Sequence, residues 1–362
     1  MESLARRPRN KQYIERDHVP LVAQPRNLSA AAGAAVREAV ARIRAARDAG
    51  KPVILATGAH SIKNGLGPVL IHLLESKAVT HLATNGAGII HDWEFAFQGR
   101  SSEDVEANTA QGLFGNWQET GFYINLALNI GAYEGKGYGE SIGAMIQTEG
   151  LTIPSPGELL AVVHLAEQDP ERAAAAADML WAMKSFSLKP GRLPIPHPYK
   201  QYSVQAAAVR LGVPSTGHPM IGHDIIYNHP MNHCASLGRC AERDFLAYAH
   251  NISQLQGGVY LSVGSAVMSP MIFEKSLSMA QNLAIQRGEH IDRHYILVVD
   301  LADSRWDWAS GEPPADNPDY YLRYCKTFSR MGGTMRYVTA DNRDFLLELA
   351  HQLWDNPPLQ RG

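Results

Sequence analysis

Short apolar runs that end in small residues constrain the fold of this chain more than any other feature. Residues 52–57 read Pro-Val-Ile-Leu-Ala-Thr and lead into a glycine-rich turn, and residues 79–84 lead into Asn85-Gly86. Between the two runs, apolar residues recur at helical spacing from Val69 to Leu74. Continuous apolar runs are typical of strands buried on both faces of a parallel sheet, so this segment predicts a βαβ unit.

The last third of the chain repeats this order of elements. Apolar runs at 258–263, 295–300 and 335–339 each precede a segment with helical spacing, whereas the middle, 102–186, is rich in predicted helices. Strands that alternate with helices favour an α/β fold. We therefore predict a doubly wound, mainly parallel, Rossmann-like sheet with helical decorations.

A single large domain is expected over residues 28–362. The chain has 362 residues, 45% of them hydrophobic, and can bury a large core. The prolines between 190 and 198 are interpreted as an internal loop, because strands resume directly after them. Residues 1–27 carry several arginines and few acids, which predicts a mobile N-terminal arm.

Charge and cysteine content exclude several classes of function. A formal net charge of -3 argues against a nucleic-acid partner. Cys234, Cys240 and Cys325 have no C-x-x-C spacing, so they predict neither a disulfide framework nor a zinc knuckle. The N-terminus lacks an apolar signal region and no apolar window reaches membrane-spanning length, so we expect a cytoplasmic protein without a membrane partner.

Small and polar residues at the ends of the predicted strands indicate a nucleotide site. Ligands of open α/β sheets bind beyond the carboxyl ends of the strands, where small residues let backbone amides approach phosphates. No strict G-x-G-x-x-G motif is present, so each turn alone is a weak indication. The candidate cofactor-binding residues are Gly58, Ala59, His60, Thr84, Asn85, Gly86, Gly264, Ser265, Asp341 and Asn342.

Histidines form the second group of candidate site residues. Residues 218–233 contain four histidines and Asp224, but two prolines interrupt them and their spacing fits no metal-ligand set, so we predict no metal. Local hydrogen bonding, or contact of one of them with a substrate, is the favoured interpretation. His91-Asp92 follows a strand end and could transfer protons, although Asp92 could equally cap the next segment.

Lys326 is a candidate nucleophile with two open interpretations. Helical spacing places it opposite the apolar face of its helix, beside Arg323 and Arg330, which favours a solvated lysine. If that polar face lines a cleft or a subunit interface, the two arginines would lower the pKa of the amine and favour imine formation.

The chain resembles the deoxyhypusine synthase family in five segments between about Pro52 and Leu349. The segments are Gly58-Ala-His-Ser-Ile62-Lys-Asn-Gly65, Thr84-Asn-Gly-Ala-Gly88-Ile-Ile-His-Asp92, Gly222-His-Asp224-Ile-Ile, Gly264-Ser-Ala-Val267 and Pro318-Asp319 through Tyr324-Cys325-Lys326. The last segment keeps the spacing at which that family carries its catalytic lysine.

The resemblance implies a fold, a cofactor, an assembly and several residue roles. It implies the deoxyhypusine synthase fold, NAD at an interface of a homotetramer, Lys326 as the imine-forming residue and His91 or His223 as a proton carrier. It adds Leu301, Ala302 and Asp307 to the cofactor-binding residues. The family resemblance and the histidine-rich segments together predict six substrate-binding residues. These are His91, Asp92, His223, Asp224, Tyr320 and Tyr324. Family acids that hold polyamine cations are replaced here, at His91 and Tyr320 among others.

The resemblance predicts transfer of an alkylamine group from a polyamine-like donor to an amine acceptor. The partners would be a small-molecule amine or another metabolite, with a protein as a second kind of acceptor. Two alternatives stay open. One is an NAD-assisted redox or elimination reaction on a non-polyamine metabolite, and the other is a non-catalytic nucleotide-binding protein with a solvated Lys326.

Overall fold

The computed structural model describes residues 18–354, and these fall into two compact units. The first, which we call the sheet unit, comprises residues 18–84 and 245–354; the second, the helical unit, is Asn85–Asp244. The boundary at residue 244 lies within a helix. The single domain predicted over residues 28–362 stays a prediction.

Fourteen α-helices and eight strands are described in residues 18–354. The helices are α1 (Ala30–Asp48), α2 (Ala59–Lys63), α3 (Gly67–Glu75), α4 (Gly86–Gln98), α5 (Val105–Ala110), α6 (Gln118–Glu134), α7 (Tyr138–Thr148), α8 (Pro156–Val163), α9 (Pro170–Ser185), α10 (Val204–Leu211), α11 (Cys234–Ser253), α12 (Met268–Gln286), α13 (Arg323–Ser329) and α14 (Asn342–Leu353). The strands are β1 (Val53–Thr57), β2 (His81–Asn85), β3 (Gly150–Ile153), β4 (Gly191–Pro194), β5 (Ser215–His218), β6 (Val259–Val263), β7 (Tyr295–Asp300) and β8 (Thr334–Thr339).

Five strands of the sheet unit lie side by side in the order β2-β1-β6-β7-β8. Every neighbouring pair is parallel, and the central pair aligns Val53 with Val259. Strands β1, β6 and β7 are buried over almost their whole length, as their continuous apolar sequences predicted. The predicted α/β class, with a doubly wound and mainly parallel sheet, is confirmed.

The sheet unit buries apolar side chains on both faces of the sheet. One face packs Ile54, Tyr260 and Ile296 against helices α11, α12 and α13. On the other side, α1 contacts β1, β6 and β8, and α14 contacts α1 and α3. Ser29 caps α1 by accepting a hydrogen bond from the Ala32 amide.

The helical unit has a separate core around the buried side chains of Trp93, Tyr138 and Met179. Strands β3 and β4 pair antiparallel although α8 and α9 lie between them in the chain, and the segment interpreted as a proline-rich loop therefore contains a strand. Within the middle segment predicted to be rich in helices, a continuous helix from Ser102 to Trp117 is also expected, and this prediction is wrong for most of its length. Only α5 forms there, and Gly112, directly after its C-cap Gln111, adopts a positive φ angle of 67° that does not continue the helix.

The N-terminal arm predicted over residues 1–27 lies mostly outside the described residues. Its described part, residues 18–27, is held to the sheet unit by backbone hydrogen bonds. The Val19 amide donates to the Gly65 carbonyl over 2.9 Å, and the Asn27 amide donates to Asp344 over 2.8 Å. Within residues 18–354, no helix combines the length and the apolar character needed to cross a membrane.

Candidate functional site

A crevice is expected in the sheet unit where the order of the strands reverses. The chain continues from β1 to β2 on one side, whereas β6, β7 and β8 follow one another on the other side, so neighbouring β1 and β6 lead away from each other. All five strands are parallel, and their carboxyl ends meet at one edge. Open α/β sheets bind ligands at this reversal point.

Two glycines, at the ends of β1 and β6, form the floor of this edge. Gly58 follows β1 and Gly264 follows β6, and a Cβ atom at Gly58 would lie 2.1 Å from the Gly264 carbonyl oxygen. Gly264 has a φ of +58°, and a Cβ there would lie 2.1 Å from the Asn342 Nδ2 atom. Three predicted cofactor residues therefore meet at one point, and two of them are restricted to glycine by close approach.

The remaining predicted residues at this edge have distinct environments. Ser265 is buried, and its hydroxyl accepts a hydrogen bond from the Ser269 amide over 3.2 Å, within the first turn of α12. The Thr84 hydroxyl donates to the Thr57 carbonyl over 3.0 Å and ties β2 to β1. Ala59 and His60 open α2, and His60 is exposed to solvent. His60 thus offers an accessible imidazole close to the end of β1.

Asp300, at the end of β7, is a candidate that the sequence analysis did not select. Its Oδ1 atom accepts hydrogen bonds from the amides of Leu301 and Ala302, over 2.7 and 3.3 Å. The hydroxyls of Tyr337 and Thr339 both donate to the Ala302 carbonyl and fix the turn. Leu301 itself is 69% exposed. A carboxylate that directly ends an apolar strand was the indication in the sequence that could have revealed Asp300.

Two other predicted cofactor residues serve as helix caps. Asp341 accepts a hydrogen bond from the Arg343 amide over 2.8 Å and begins α14. Asp307 is exposed and accepts from the Ala309 amide over 3.1 Å at the start of a short 3₁₀ helix. The cofactor roles of both stay predictions. Because both carboxylates cap helices, Asp341 and Asp307 each have a structural role whether or not they contact a cofactor.

Lys326 is paired rather than solvated. Its Nζ atom lies 2.6 Å from Glu312 Oε1 and 3.4 Å from the centre of the Tyr320 ring, and the side chain is only 15% exposed. Partial desolvation lowers the pKa of Lys326, but hydrogen bonding to Glu312 and Tyr320 outweighs it and raises the pKa above the ordinary value. Because an imine requires the neutral amine, this environment favours an ammonium with a structural role.

Tyr324 also lies within the sheet unit, packed against its core cluster. Burial is the main cause that raises the pKa of its phenol to about 12, and its ring centre lies 6.4 Å from that of Tyr337. Nearby, Asp319 accepts hydrogen bonds from the amides of Arg305 and Trp306, each over 3.0 Å. The Pro-Asp start that carried the resemblance thus fixes a loop. The substrate role of Tyr324 stays a prediction.

In the helical unit, the predicted residues Gly86 and Asp224 are in contact. A Cβ at Gly86 would lie 2.0 Å from Asp224 Oδ2. Asn85 caps α4 through a 2.9 Å hydrogen bond from the Gly88 amide. Burial raises the pKa of Asp224 to about 6. Burial, and after it the Asp224 charge, raises the pKa of the Tyr138 phenol, so this side chain lies within electrostatic reach of the carboxylate.

Asp92 is a structural carboxylate at the start of α10. Its two oxygens accept hydrogen bonds from the Ser203 hydroxyl over 2.6 Å, the Val204 amide over 2.8 Å, and the Gln205 amide and side chain over 3.2 and 3.0 Å. Burial raises the pKa of Asp92, while these bonds lower it. The structure therefore supports the capping interpretation. The helix that Asp92 caps, α10, begins more than a hundred residues further along the chain. A substrate role stays a prediction.

The four histidines between residues 218 and 233 occupy different environments. Burial lowers the pKa of His218 to about 3, His229 is buried, and His223 is exposed. His233 lies 3.9 Å from Asp178. Across residues 18–354, no three His, Cys, Asp or Glu side chains are grouped so that they could hold a metal ion.

His91 lies beside two polar side chains of the helical unit. Its Nδ1 atom is 2.5 Å from the Ser101 hydroxyl, which donates over 2.6 Å to the buried carboxylate of Glu94. The Thr120 hydroxyl donates to the second oxygen of Glu94 over 3.0 Å. His91 is a candidate predicted from its position in the sequence, whereas nothing in the sequence indicates Ser101 or Glu94.

Comparisons with known proteins yield structural similarity only. No family model and no curated protein matches the sequence. Similar solved structures include a ternary complex of AgrE with ornithine and NAD⁺ (15% identity, 90% of this chain and 33% of that chain, TM-score 0.44) and ArgZ, an arginine dihydrolase from the ornithine-ammonia cycle in cyanobacteria (13%, 90% and 32%, 0.42). A third is a conserved putative LOR/SDH protein from Methanococcus maripaludis S2 (14%, 92% and 71%, 0.45).

This chain spans about a third of the length of AgrE and ArgZ. At TM-scores below 0.5, none of these similarities carries an argument about activity. The named structures are AgrE, ArgZ and a LOR/SDH protein rather than deoxyhypusine synthases, and the resemblance to that family is wrong. Its motifs were mostly strand-end turns of small residues, which α/β sheets of many functions require. The predicted alkylamine transfer is therefore not retained, and the homotetramer stays a prediction.

Proposed function

We propose that the sheet unit binds NAD and that the protein is an NAD-dependent enzyme acting by redox or elimination chemistry on a non-polyamine metabolite. One observation carries the proposal: where the strand order reverses, the Gly264 carbonyl leaves no room for a side chain at Gly58, and a φ of +58° together with the Asn342 side chain restricts position 264 to glycine. A dinucleotide pyrophosphate needs such a backbone surface, because side chains would keep the phosphates away from the amides.

The residues around this floor fit the other parts of the cofactor. Asp300 uses only Oδ1 for the turn amides in the described part of the chain, which leaves Oδ2 to accept a ribose hydroxyl. Asn342 lies directly against Gly264 and can orient a polar group above it. When bound, NAD supplies a two-electron hydride acceptor. His60, exposed at the start of α2, is a candidate for moving a substrate proton in the sheet unit.

The first test is NAD affinity in the wild-type protein and in Asp300→Asn. The asparagine keeps an oxygen for the turn amides and removes the charge. A hydrogen bond to a charged group contributes about 1.5–3 kcal/mol, so we expect Asp300→Asn to weaken NAD binding by roughly tenfold to a hundredfold. Titration calorimetry with NAD⁺ and NADH measures the change.

Asp292→Asn is the matched control. Asp292 is exposed and precedes the amino end of the same strand β7, so its replacement should leave NAD affinity unchanged. Absence of NAD binding by the wild type would refute the proposal. Equal effects of the two substitutions would instead show that Asp300 does not contact the cofactor. NADH formation with a panel of amino and hydroxy acids then tests for redox activity.

A further inference from the structure

Three polar atoms of the helical unit are buried without a hydrogen-bond partner in residues 18–354. They are Oδ2 of Asp224 and the phenol oxygens of Tyr138 and Tyr227. Burying an unpaired polar group is costly, most of all when the group carries a charge. Proteins keep such groups mainly where they bind or react with something else, so these three atoms call for a functional explanation.

The two phenols lie close to the Asp224 carboxylate and to each other. Burial is the main cause that raises the pKa of each phenol, and in both the Asp224 charge is the second cause. The Tyr227 phenol is a further cause for Tyr138. The three groups are thus within electrostatic reach of one another, although no direct hydrogen bond joins them in the described part of the chain.

Contacts of α7 with β5 fix the position of Tyr138. Its ring packs against Gly217, where a Cβ atom would lie 3.1 Å from Tyr138 Cδ1. The amides of Gly139 and Gly217 both donate to the buried Asp244 carboxylate, over 2.9 and 2.6 Å, which joins the start of α7 to β5. The Tyr138 hydroxyl is therefore held in place by the fold and not by a partner of its own.

The segment that carries Asp224 and Tyr227 is fixed separately. Asp224 directly precedes a short 3₁₀ helix, Ile225–Asn228. The carbonyl of Ile226, in this helix, accepts a hydrogen bond from the Asn125 side chain of α6 over 2.9 Å. Backbone contacts thus hold the segment on α6, and they leave the polar ends of the Asp224 and Tyr227 side chains available to a ligand.

Asp224 lies between the start of α4 and an exposed loop. A Cβ at Gly86, the first residue of α4, would lie 2.0 Å from Asp224 Oδ2, and the positive end of the helix dipole favours the ionised carboxylate. Burial raises the pKa of Asp224 to about 6, so the group is ionised at higher pH. Residues 220–223, directly before Asp224, are exposed. The path from solvent to the carboxylate is therefore short.

The hydrogen-bonding capacity of the three groups matches one kind of ligand group. An ionised carboxylate only accepts hydrogen bonds, whereas each phenol carries one hydrogen that needs an acceptor. A hydroxyl group supplies one hydrogen and two lone pairs, which satisfies one acceptor and two donors together. An ammonium would leave both phenol hydrogens without an acceptor, and a second carboxylate would be repelled by Asp224.

We propose that Asp224, Tyr138 and Tyr227 form a binding site for an uncharged alcohol or polyol. The ligand hydroxyl donates its hydrogen to Asp224 Oδ2 and accepts hydrogen bonds from both phenols. The site lies within the helical unit, and it does not depend on the proposed NAD binding. Water offers the same hydroxyl chemistry, so the experiment must separate the two sources.

The test is NMR of protein labelled with ¹³C at the tyrosine Cζ atoms, without NAD and at a pH well above the pKa of Asp224. The two signals are assigned by their loss in Tyr138→Phe and Tyr227→Phe. We expect at least one of glycerol, D-ribose and propanol to shift both signals saturably, because a new hydrogen bond changes the shielding of Cζ. The methyl ether of the same alcohol lacks a hydrogen for Asp224 and should shift neither.

Variants identify the groups that bind the alcohol. Asp224→Asn keeps an oxygen and loses the charge, so it should weaken alcohol binding by roughly tenfold or more. Asp169→Asn is the matched control, because Asp169 is an exposed cap of α9 with one hydrogen bond from the Arg172 amide, and it should leave binding unchanged. Tyr138→Phe should abolish the alcohol-induced shift of Tyr227 without lowering the urea midpoint of unfolding, because the hydroxyl that it removes has no partner in the fold.

Shifts that require the alcohol hydrogen and weaken in Asp224→Asn would support the site. Signals that no alcohol moves, or that the ether moves equally, would overturn the proposal, and a lowered urea midpoint of Tyr138→Phe would then identify structural water as the occupant. If Asp224→Asn does not fold, Tyr138→Phe decides through the Tyr227 signal. Because NAD is absent throughout, failure of this inference and failure of the proposed function are distinguishable.

Discussion

Gly58→Ala is expected to lower the free energy of unfolding by about 3 kcal/mol or more and to abolish NAD binding. The added methyl group would lie 2.1 Å from the Gly264 carbonyl oxygen, and backbone atoms cannot give way as the end of a flexible side chain can. The strand ends must separate to relieve the overlap. Overpacking of this kind typically costs about 1–3 kcal/mol and more where the backbone must move.

Chemical denaturation and titration with NAD⁺ together measure this effect. Gly33→Ala is the matched control in the same unit, because its nearest neighbours would lie at ordinary distances of 3.6 and 3.9 Å. Gly33 lies within α1, so alanine there should stabilise the protein by up to about 1 kcal/mol. A Gly58→Ala protein with wild-type stability and wild-type NAD affinity would show that the two strand ends do not form the floor described above.

Asp92→Asn is the second substitution for which we expect a large effect, a loss of about 3 kcal/mol or more in stability. Four donors converge on this carboxylate. The amide nitrogen of asparagine would face donors wherever it replaced an oxygen, and each buried donor left without an acceptor costs about 1–3 kcal/mol. Denaturation followed by circular dichroism reports the loss.

Asp104→Asn provides the comparison. Asp104 caps α5 in an exposed position through one hydrogen bond from the Ala107 amide, and asparagine caps helices about as well as aspartate. We expect its stability to change by less than about 0.5 kcal/mol. If Asp92→Asn behaves like Asp104→Asn, Asp92 does not hold α10, and the substrate role predicted from the sequence regains support.

The strands of the sheet and the positions of its key glycines could be predicted from the sequence because both depend on local patterns. Continuous apolar runs identify buried strands, and small residues directly after them identify the turns at Gly58 and Gly264. The fold class follows from the alternation of such runs with helices. The pairing of β3 with β4 could not be predicted, because its register depends on residues forty positions apart and not on local alternation.

Roles that depend on distant partners were the ones that sequence patterns could not reveal. Helical spacing correctly places Lys326 away from the apolar face of α13, but no periodicity indicates that Glu312 from a loop would cover it. Asp92 was recognised as a possible cap, while its partner helix α10 lies far along the chain. Ser102 has a positive φ of 77°, and strain of this kind has no signature in residue type when serine occupies the position.

The order of the sheet also bears on how the protein assembles. The central neighbours β1 and β6, which align Val53 with Val259, are separated in the chain by the whole helical unit. During synthesis, the first half of the crevice therefore leaves the ribosome long before the second half exists. Bringing such distant segments together has a high entropic cost and slows folding. Any nascent or truncated chain that ends before β6 has only half of the glycine floor, so the proposed dinucleotide site is complete only after β6 has been synthesised.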